Sequence, residues 1–332
     1  MATISRRVDS SGNISFQVKV RRAGQPAVSR TFPSKALAQQ WAAEQEHAAA
    51  RGAMVDPSLA RGTTVGALMR RYLAEVTPHK KGASQEAGHM QPLLRSKLPA
   101  YTPASLTPAA VREFRDDRLR EAAPSTVNRQ LNLLSHVLEH ARKEWGIGTG
   151  LTNPVSEVSR PKNGPPRDRR LSNGEEARLL DACEGSRAGY LADVVRLAIE
   201  TGMRQAELVG LDWSRIDLQR CTARLVHTKN GEARTVPLSR AAIAILERRR
   251  ATSGPVWPGV TCEGVKQAWQ RACDRAQIEG LRFHDLRHEA TSRFFEKGLN
   301  VIEAASVTGH KDLRMLKRYT HLDASKLAAK LG

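Results

Sequence analysis

Apolar and polar residues alternate through NISFQVKV, with Ile14, Phe16, Val18 and Val20 on one side and Ser15, Gln17 and Lys19 on the other. That period of two predicts a strand with one buried face. The polar stretch RAGQPA predicts a turn, and VSRTF a returning strand with Val28 and Phe32 on a common face. Ser34 can cap a following helix whose Leu37 and Trp41, with Ala38 and Ala42, would cover the apolar side. The expectation is a small antiparallel sheet under one helix, its solvent face kept basic by Lys19, Arg21 and Arg30.

Beyond Thr64 the period changes. Val65, Leu68, Met69, Tyr72, Leu73 and Val76 recur at helical spacing. Thr107 followed by Pro108 opens a second helical stretch, and Val127, Leu131, Leu134, Leu138, Ala141 and Trp145 align on a third. Residues 63–147 therefore read as all-helical, with Arg112, Arg115, Arg118, Arg120, Arg129 and Arg142 on outer faces. Residues 148–170 hold four prolines and few large apolar side chains, so they read as a linker that buries little. Residues 171–332 mix helices with one β segment, CTARLVHTKNGEARTVPL, in which Asn230 and Gly231 suit a tight turn. The closing DASKLAAKLG carries a short apolar stripe through Leu327 and Leu331, which would pack on its own chain or on a neighbouring copy.

Charge changes the picture from architecture to partner. Lys and Arg number 53 against 34 Asp and Glu, a formal net charge of +19, more than surface solubility needs and suited to a polyanion. No apolar run is long enough for a membrane span and the first ten residues are polar, which predicts a cytoplasmic protein without a membrane partner. Cys183, Cys221, Cys262 and Cys273 lie far apart and read as buried free thiols. Neither phosphate-loop pattern of the nucleotide-binding folds occurs, so nucleotide hydrolysis is not indicated.

The stretch RFHDLRHEA sets His284 and His288 one helical turn apart. Two such histidines could ligate a metal, but Arg287 between them would repel a divalent cation and no third ligand is evident. No metal and no cofactor is expected. Elsewhere TGMRQAEL supplies Arg204 and Glu207, TKNGEARTVPL supplies Lys229, TGHKDL supplies His310 and LKRYTHL supplies Tyr319. Arginine forks match phosphate oxygens, histidine moves protons near neutrality, lysine can protonate a leaving oxygen and tyrosine can attack phosphorus. The inventory fits covalent chemistry on a phosphodiester.

In that order and spacing these residues resemble the tyrosine recombinase (phage integrase) family. The family pattern of an Arg with a nearby acid, a hairpin Lys, His-x-x-Arg, a His or Trp, and a Tyr nine residues later is matched by Arg204 with Glu207, Lys229, His284 with Arg287, His310 and Tyr319. GPPRDRRL, RFHDLRHEATSRFFEKGLNV and HKDLRMLKRYTHL look most like the branch of prophage and integrative-element integrases and shufflon-type inverting recombinases.

The resemblance implies a multidomain α+β chain. Its parts would be a small N-terminal β-sheet plus helix domain (1–60) binding arm-type DNA, an all-α core-binding domain (63–147), a linker (148–170) and a mixed α/β, mainly α, catalytic domain (171–332). It implies integration or excision of a mobile element through a 3′-phosphotyrosyl bond, with DNA inversion or an inactive DNA-binding role as alternatives. The implied partners are double-stranded DNA, a homotetramer on two recombination sites and an accessory DNA-bending protein of host or element, all at the bacterial nucleoid. Lys19, Arg21, Arg30 and Arg129 are the expected DNA-binding side chains outside the catalytic set. His288 and Asp285 are expected to support the helix, His288 near the rim of the site, and Glu207 to orient an arginine or histidine. Glu289 departs from the Ser or Thr of many relatives and would either weaken the local positive field or pair with a base.

Overall fold

The computed structural model describes residues 2–22, 25–50, 57–165, 167–226 and 233–319. Lys229 with its turn, and the DASKLAAKLG segment, lie outside them. The chain divides into two compact units, Met1–Pro165 and Pro166–Gly332.

In the first unit β1 (Ala2–Val8), β2 (Ile14–Arg22) and β3 (Gln25–Phe32) form an antiparallel sheet in that order, packed against α1 (Lys35–Ala50). Val18, Val20 and Val28 are buried with Ala38, Trp41 and Ala42. Three details differ from the sequence reading. The polar start of the chain supplies a third strand, with Ile4 opposite Val18 and Ala2 opposite Val20. Leu37 falls at the edge of the α1 stripe and is exposed. Arg30 does not join Lys19 and Arg21 on the open face. It sits two residues from both Val28 and Phe32, pairs with Val18, and so shares the helix-covered face, where its guanidinium lies 5.0 Å over the Phe32 ring.

The rest of this unit is helical: α2 (Pro57–Gly62), α3 (Val65–Glu75), α4 (Ala83–Arg95), α5 (Pro108–Leu119) and α6 (Pro124–Glu144). Thr64 and Thr107 cap α3 and α5 by accepting hydrogen bonds from the Ala67 and Ala110 amides at 3.1 and 3.3 Å. Val65, Leu68, Met69, Val111, Phe114, Val127, Leu131 and Leu134 meet Met90 and Leu93 of α4 in one core. The first part of the expected linker is folded onto this core. Asn153 caps a short 3-10 turn, Val155 and Val158 are buried, and Arg115 donates to the Ser159 carbonyl at 2.9 Å. Two apolar side chains at the right spacing suffice to dock a proline-rich segment.

The second unit runs α7 (Glu175–Glu184), α8 (Leu191–Thr201), α9 (Gln205–Val209), a three-stranded antiparallel sheet of β4 (Ile216–Asp217), β5 (Thr222–Leu225) and β6 (Arg234–Pro237), then α10 (Arg240–Glu247), α11 (Cys262–Arg275), α12 (Asp285–Glu296) and α13 (Val301–Thr308). Helix α8 is apolar except for one stripe of Asp193, Arg196 and Glu200, and packs against α7, α10, α11 and α12, which makes it the centre of the core. Cys183 and Cys273 are buried free thiols, whereas Cys221 is half-buried and Cys262, which opens α11, is exposed. Among the described residues, no helix is long and apolar enough to cross a membrane.

Candidate active site

Helix α8 ends at Gly202, whose φ of 60° turns the chain back toward Arg204. A Cβ there would press on Phe294 at 3.3 Å, so glycine serves both the left-handed turn and the close approach of α12. Arg204 then caps α9. Its amide and guanidinium both donate to the Glu207 carboxylate, at 2.9 and 2.8 Å. Arg234 at the start of β6 grips the same carboxylate with two parallel bonds, 2.9 and 2.7 Å, and reaches the Val307 carbonyl at 3.2 Å. Burial alone would push the Glu207 carboxyl up. The bonds from Arg234 and the Arg204 amide, with the adjacent positive charge, outweigh it and hold the group at about 2. Glu207 is thus a buried anion that fixes two arginines.

Arg287, 4 % exposed, is held by backbone rather than by acid: it donates to the Gly202 carbonyl at 2.7 Å and to the Thr308 carbonyl at 2.5 Å. Burial, then Arg204 and Arg234, pull its pKa down to about 9, so it stays charged at neutral pH in a locally cationic setting. His310 follows the left-handed Gly309 and stands 3.5 Å from the Arg287 guanidinium through Nε2. The Thr308 hydroxyl donates to the Ala304 carbonyl at 2.6 Å, so it accepts from His310 Nδ1 at 2.7 Å and leaves the Nε2 lone pair toward Arg287. Burial first, then Arg287 and Arg204, push the His310 pKa down to about 4. A desolvated cluster of positive and neutral donors is suited to an anion that brings its own charge.

Tyr319 ends a short 3-10 turn behind the buried Leu316, its ring nearly parallel to Phe295 at 6.2 Å. Its hydroxyl hydrogen-bonds His288 Nδ1. Burial raises the Tyr319 pKa against the pull of Arg318 and Arg287. The two histidines of α12 are placed the other way round from the sequence reading. His284 is the exposed one at the helix start, and His288 is half-buried on the tyrosine, the two rings edge to face at 5.4 Å. His288, one turn further into the helix, is half-buried because Arg287 and Glu289 on either side of it and Thr291 three residues on are buried.

The acids of α12 face the former linker. Asp285 binds the Arg282 amide at 2.7 Å and the Arg167 guanidinium, and Arg318, next to the tyrosine, donates to the Arg167 carbonyl at 3.0 Å. Glu289 is buried and paired with Arg170 at 3.0 Å and Arg293 at 2.8 Å, so its charge is spent on bases and not on the site. Arg204, Glu207, Arg287, His310 and Tyr319 thus gather around the ends of α8, α12 and α13, and His284 stands at the margin. Arg234 and His288 were absent from the candidate set. RTVPL after the turn and the histidine directly following Arg287 were the available signals, but a strand period and a helical turn mark the elements and not which charged side chain reaches the site. Among the described residues, no three His, Cys, Asp or Glu side chains converge to hold a metal.

Comparison with known proteins places the family and the fold. The phage integrase family profile matches residues 169–326. A shufflon-specific DNA recombinase of Escherichia coli is 42% identical over 281 residues, covering 82% of this chain and 72% of the relative. A putative integrase/recombinase of Haemophilus influenzae is 32% identical over 324 residues, covering 91% and 83%. The fold is shared with a lambda integrase dimer bound to a COC′ core site, at a TM-score of 0.66 and 19% identity over 95% of this chain and 93% of that one. It is shared too with the Tn1549 transposon integrase in complex with transposon right-end DNA, at 0.66 and 16% over 81% and 98%. With the recombinase likeness running through most of both chains, this protein belongs to the phage integrase family of tyrosine-type site-specific DNA recombinases.

Proposed function

We propose that Tyr319 attacks a DNA phosphodiester held by Arg204, Arg287 and His310, forming a 3′-phosphotyrosyl bond and freeing a 5′-hydroxyl; the 5′-hydroxyl of a partner strand then attacks the phosphotyrosyl bond and releases Tyr319. The observation that carries this reading is the buried Arg287, aimed by two backbone carbonyls and flanked by Arg204 and His310, beside a half-buried tyrosine. Arginines so fixed stabilise charge on the non-bridging oxygens without reorganising during the step. Their guanidinium donors are committed to backbone carbonyls, to Glu207 and to the non-bridging oxygens, so the leaving 5′-oxygen takes its proton from Lys229. Glu207 and Arg234 position Arg204, and His284 contributes from the margin of the site.

The outcome favoured for the chain is integration or excision of a mobile element by a homotetramer spanning two sites in nucleoid DNA, aided by a DNA-bending accessory protein. Inversion is a second reading, favoured by the 42% identity to the shufflon-specific recombinase. Residues 1–60 bind accessory DNA through the open sheet face, where Lys19 and Arg21 are exposed, while the exposed Arg129 on α6 contacts core DNA. Arg30, stacked on Phe32, contributes at the sheet margin rather than from that face. Plasmids carrying the DNA that flanks the gene, with the paired sites in direct or inverted orientation, test the outcome. Deletion from direct repeats supports excision, and exchange confined to inverted repeats supports inversion.

A further inference from the structure

The phenol of Tyr319 must lose a proton as it bonds to phosphorus, and burial makes that loss harder. The acids and bases around it are largely committed elsewhere. Asp285 is held by Arg167, Glu289 by Arg170 and Arg293, and the two ring nitrogens of His310 face Thr308 and Arg287. His288 is different. Its Nδ1 meets the Tyr319 hydroxyl, its ring lies over the tyrosine at 6.0 Å and 29°, and it is carried on the rigid helix that also carries Arg287.

We propose that His288 is the proton acceptor for Tyr319, a catalytic residue outside the set implied by the family pattern. As the Tyr319 oxygen bonds to phosphorus, the bond from phosphorus to the 5′-oxygen breaks and the phenolic proton passes to His288 Nδ1. The 5′-oxygen takes its proton from the acid assigned to Lys229. In rejoining, the 5′-hydroxyl attacks, the phosphotyrosyl bond breaks and the imidazolium returns its proton to the phenolate, so both directions balance. The surroundings keep the ring ready to accept. His284, Asp285 and Arg287 face it from α12, Arg318 and Tyr319 from the last turn, and His310 from beyond α13. Burial and then His284 hold its pKa below the usual histidine value against the opposing pull of Asp285, so the ring is neutral at neutral pH.

The inference rests on Tyr319 being the nucleophile, and the test separates the two. Full-length protein is reacted in single turnover with a nicked duplex selected for binding from a random-sequence pool, and the covalent adduct is mapped by peptide. An adduct elsewhere than Tyr319 overturns the nucleophile assignment, whatever His288 does. With the adduct on Tyr319, His288→Asn keeps an acceptor near the Nδ1 position but cannot take a proton, and His288→Gln is the second variant.

The expected result is wild-type DNA binding in both variants. Adduct formation should be slowed on the order of 10²-fold at neutral pH and should regain rate steadily as pH rises and the phenol ionises unaided. A rate within threefold of wild type, or a loss equal at every pH, overturns the proposal. Should either variant fold poorly, the ring titration of His288 in the native chain decides by NMR. It should coincide with the acid limb of adduct formation, and a mismatch rejects the assignment.

Discussion

The helical part of the first unit and the second unit use charge in opposite ways. Among the described residues of the first, the buried polar side chains are the uncharged Thr77 and Gln130, and ion pairs such as Arg71–Glu75 sit at the surface with side chains 45% and 51% exposed. The second unit buries Glu175, Glu207, Asp285, Arg287 and Glu289. Exposed pairs contribute roughly 0–1 kcal/mol, whereas a buried charge costs several kcal/mol unless it is paired and hydrogen-bonded. Of these, Glu207 and Arg287 lie in the candidate site, whereas Glu175, Asp285 and Glu289 are paired with arginines outside it. The first unit is built for shape, the second for a field.

The largest expected effect follows from removing the hub of that field. Glu207→Ala leaves Arg234 and Arg204 without their shared carboxylate and should lower stability by about 3–5 kcal/mol, measured by urea unfolding. A loss below about 1 kcal/mol would erase the contrast between the units. Next, Arg287→Ala should reduce adduct formation by roughly 10²- to 10³-fold with DNA binding largely retained, because it removes a fixed donor to the phosphate. An unchanged rate would mean that the buried guanidinium is structural.

Acid should separate the units in the same direction. Glu207 and Glu175 are held at about 2 in the folded chain, so the stability they contribute is complete above the unfolded carboxylate value and is lost as pH falls from about 4.5 toward 2. His310, held at about 4, contributes stability that is lost earlier, as pH falls from about 6.5 to 4, because its unfolded form gains a proton first. Hydrogen exchange by mass spectrometry should show residues 171–319 opening on acidification before residues 63–147. Simultaneous opening would contradict this.

The smaller effects sharpen the comparison. Arg167→Ala removes the guanidinium that holds Asp285 at the start of α12 but keeps the main-chain carbonyl that accepts from Arg318, and should slow adduct formation by at most about tenfold, about 1.4 kcal/mol, without changing its pH profile. Glu75→Gln, which removes an exposed partner of Arg71, should stay within about 0.5 kcal/mol in the same unfolding assay.

Much of this was legible in the chain where physics is local. The stripe from Val65 to Tyr72 and the alternation from Phe16 to Val20 led directly to α3 and β2, since burial imposes the period of the element, although Ile14 at the head of β2 is exposed and not on the buried face as expected. Strand β1 escaped because ATISRRV offers little alternation beyond Ile4 and Val8, and its place is set by pairing with β2. Helix α4 lay within the stretch read as all-helical but was not picked out by itself, because SQEAGHMQPLL holds Gly88 and Pro92 and buries mainly Met90 and Leu93. In the site, the order of Arg204, Glu207, Lys229, His284, Arg287, His310 and Tyr319 was readable as a pattern. The grip of Arg234 on Glu207 and the meeting of His288 with Tyr319 were not, because each joins positions 27 and 31 residues apart that the fold alone brings together.

The central claim is that Tyr319 becomes covalently joined to DNA in the field of Arg204 and Arg287, and peptide mapping of the trapped protein–DNA adduct tests it most directly. The account predicts a single modified peptide with the nucleotide on Tyr319, and no adduct with Tyr319→Phe although DNA binding persists. An adduct on another residue, or one that survives Tyr319→Phe, would contradict it.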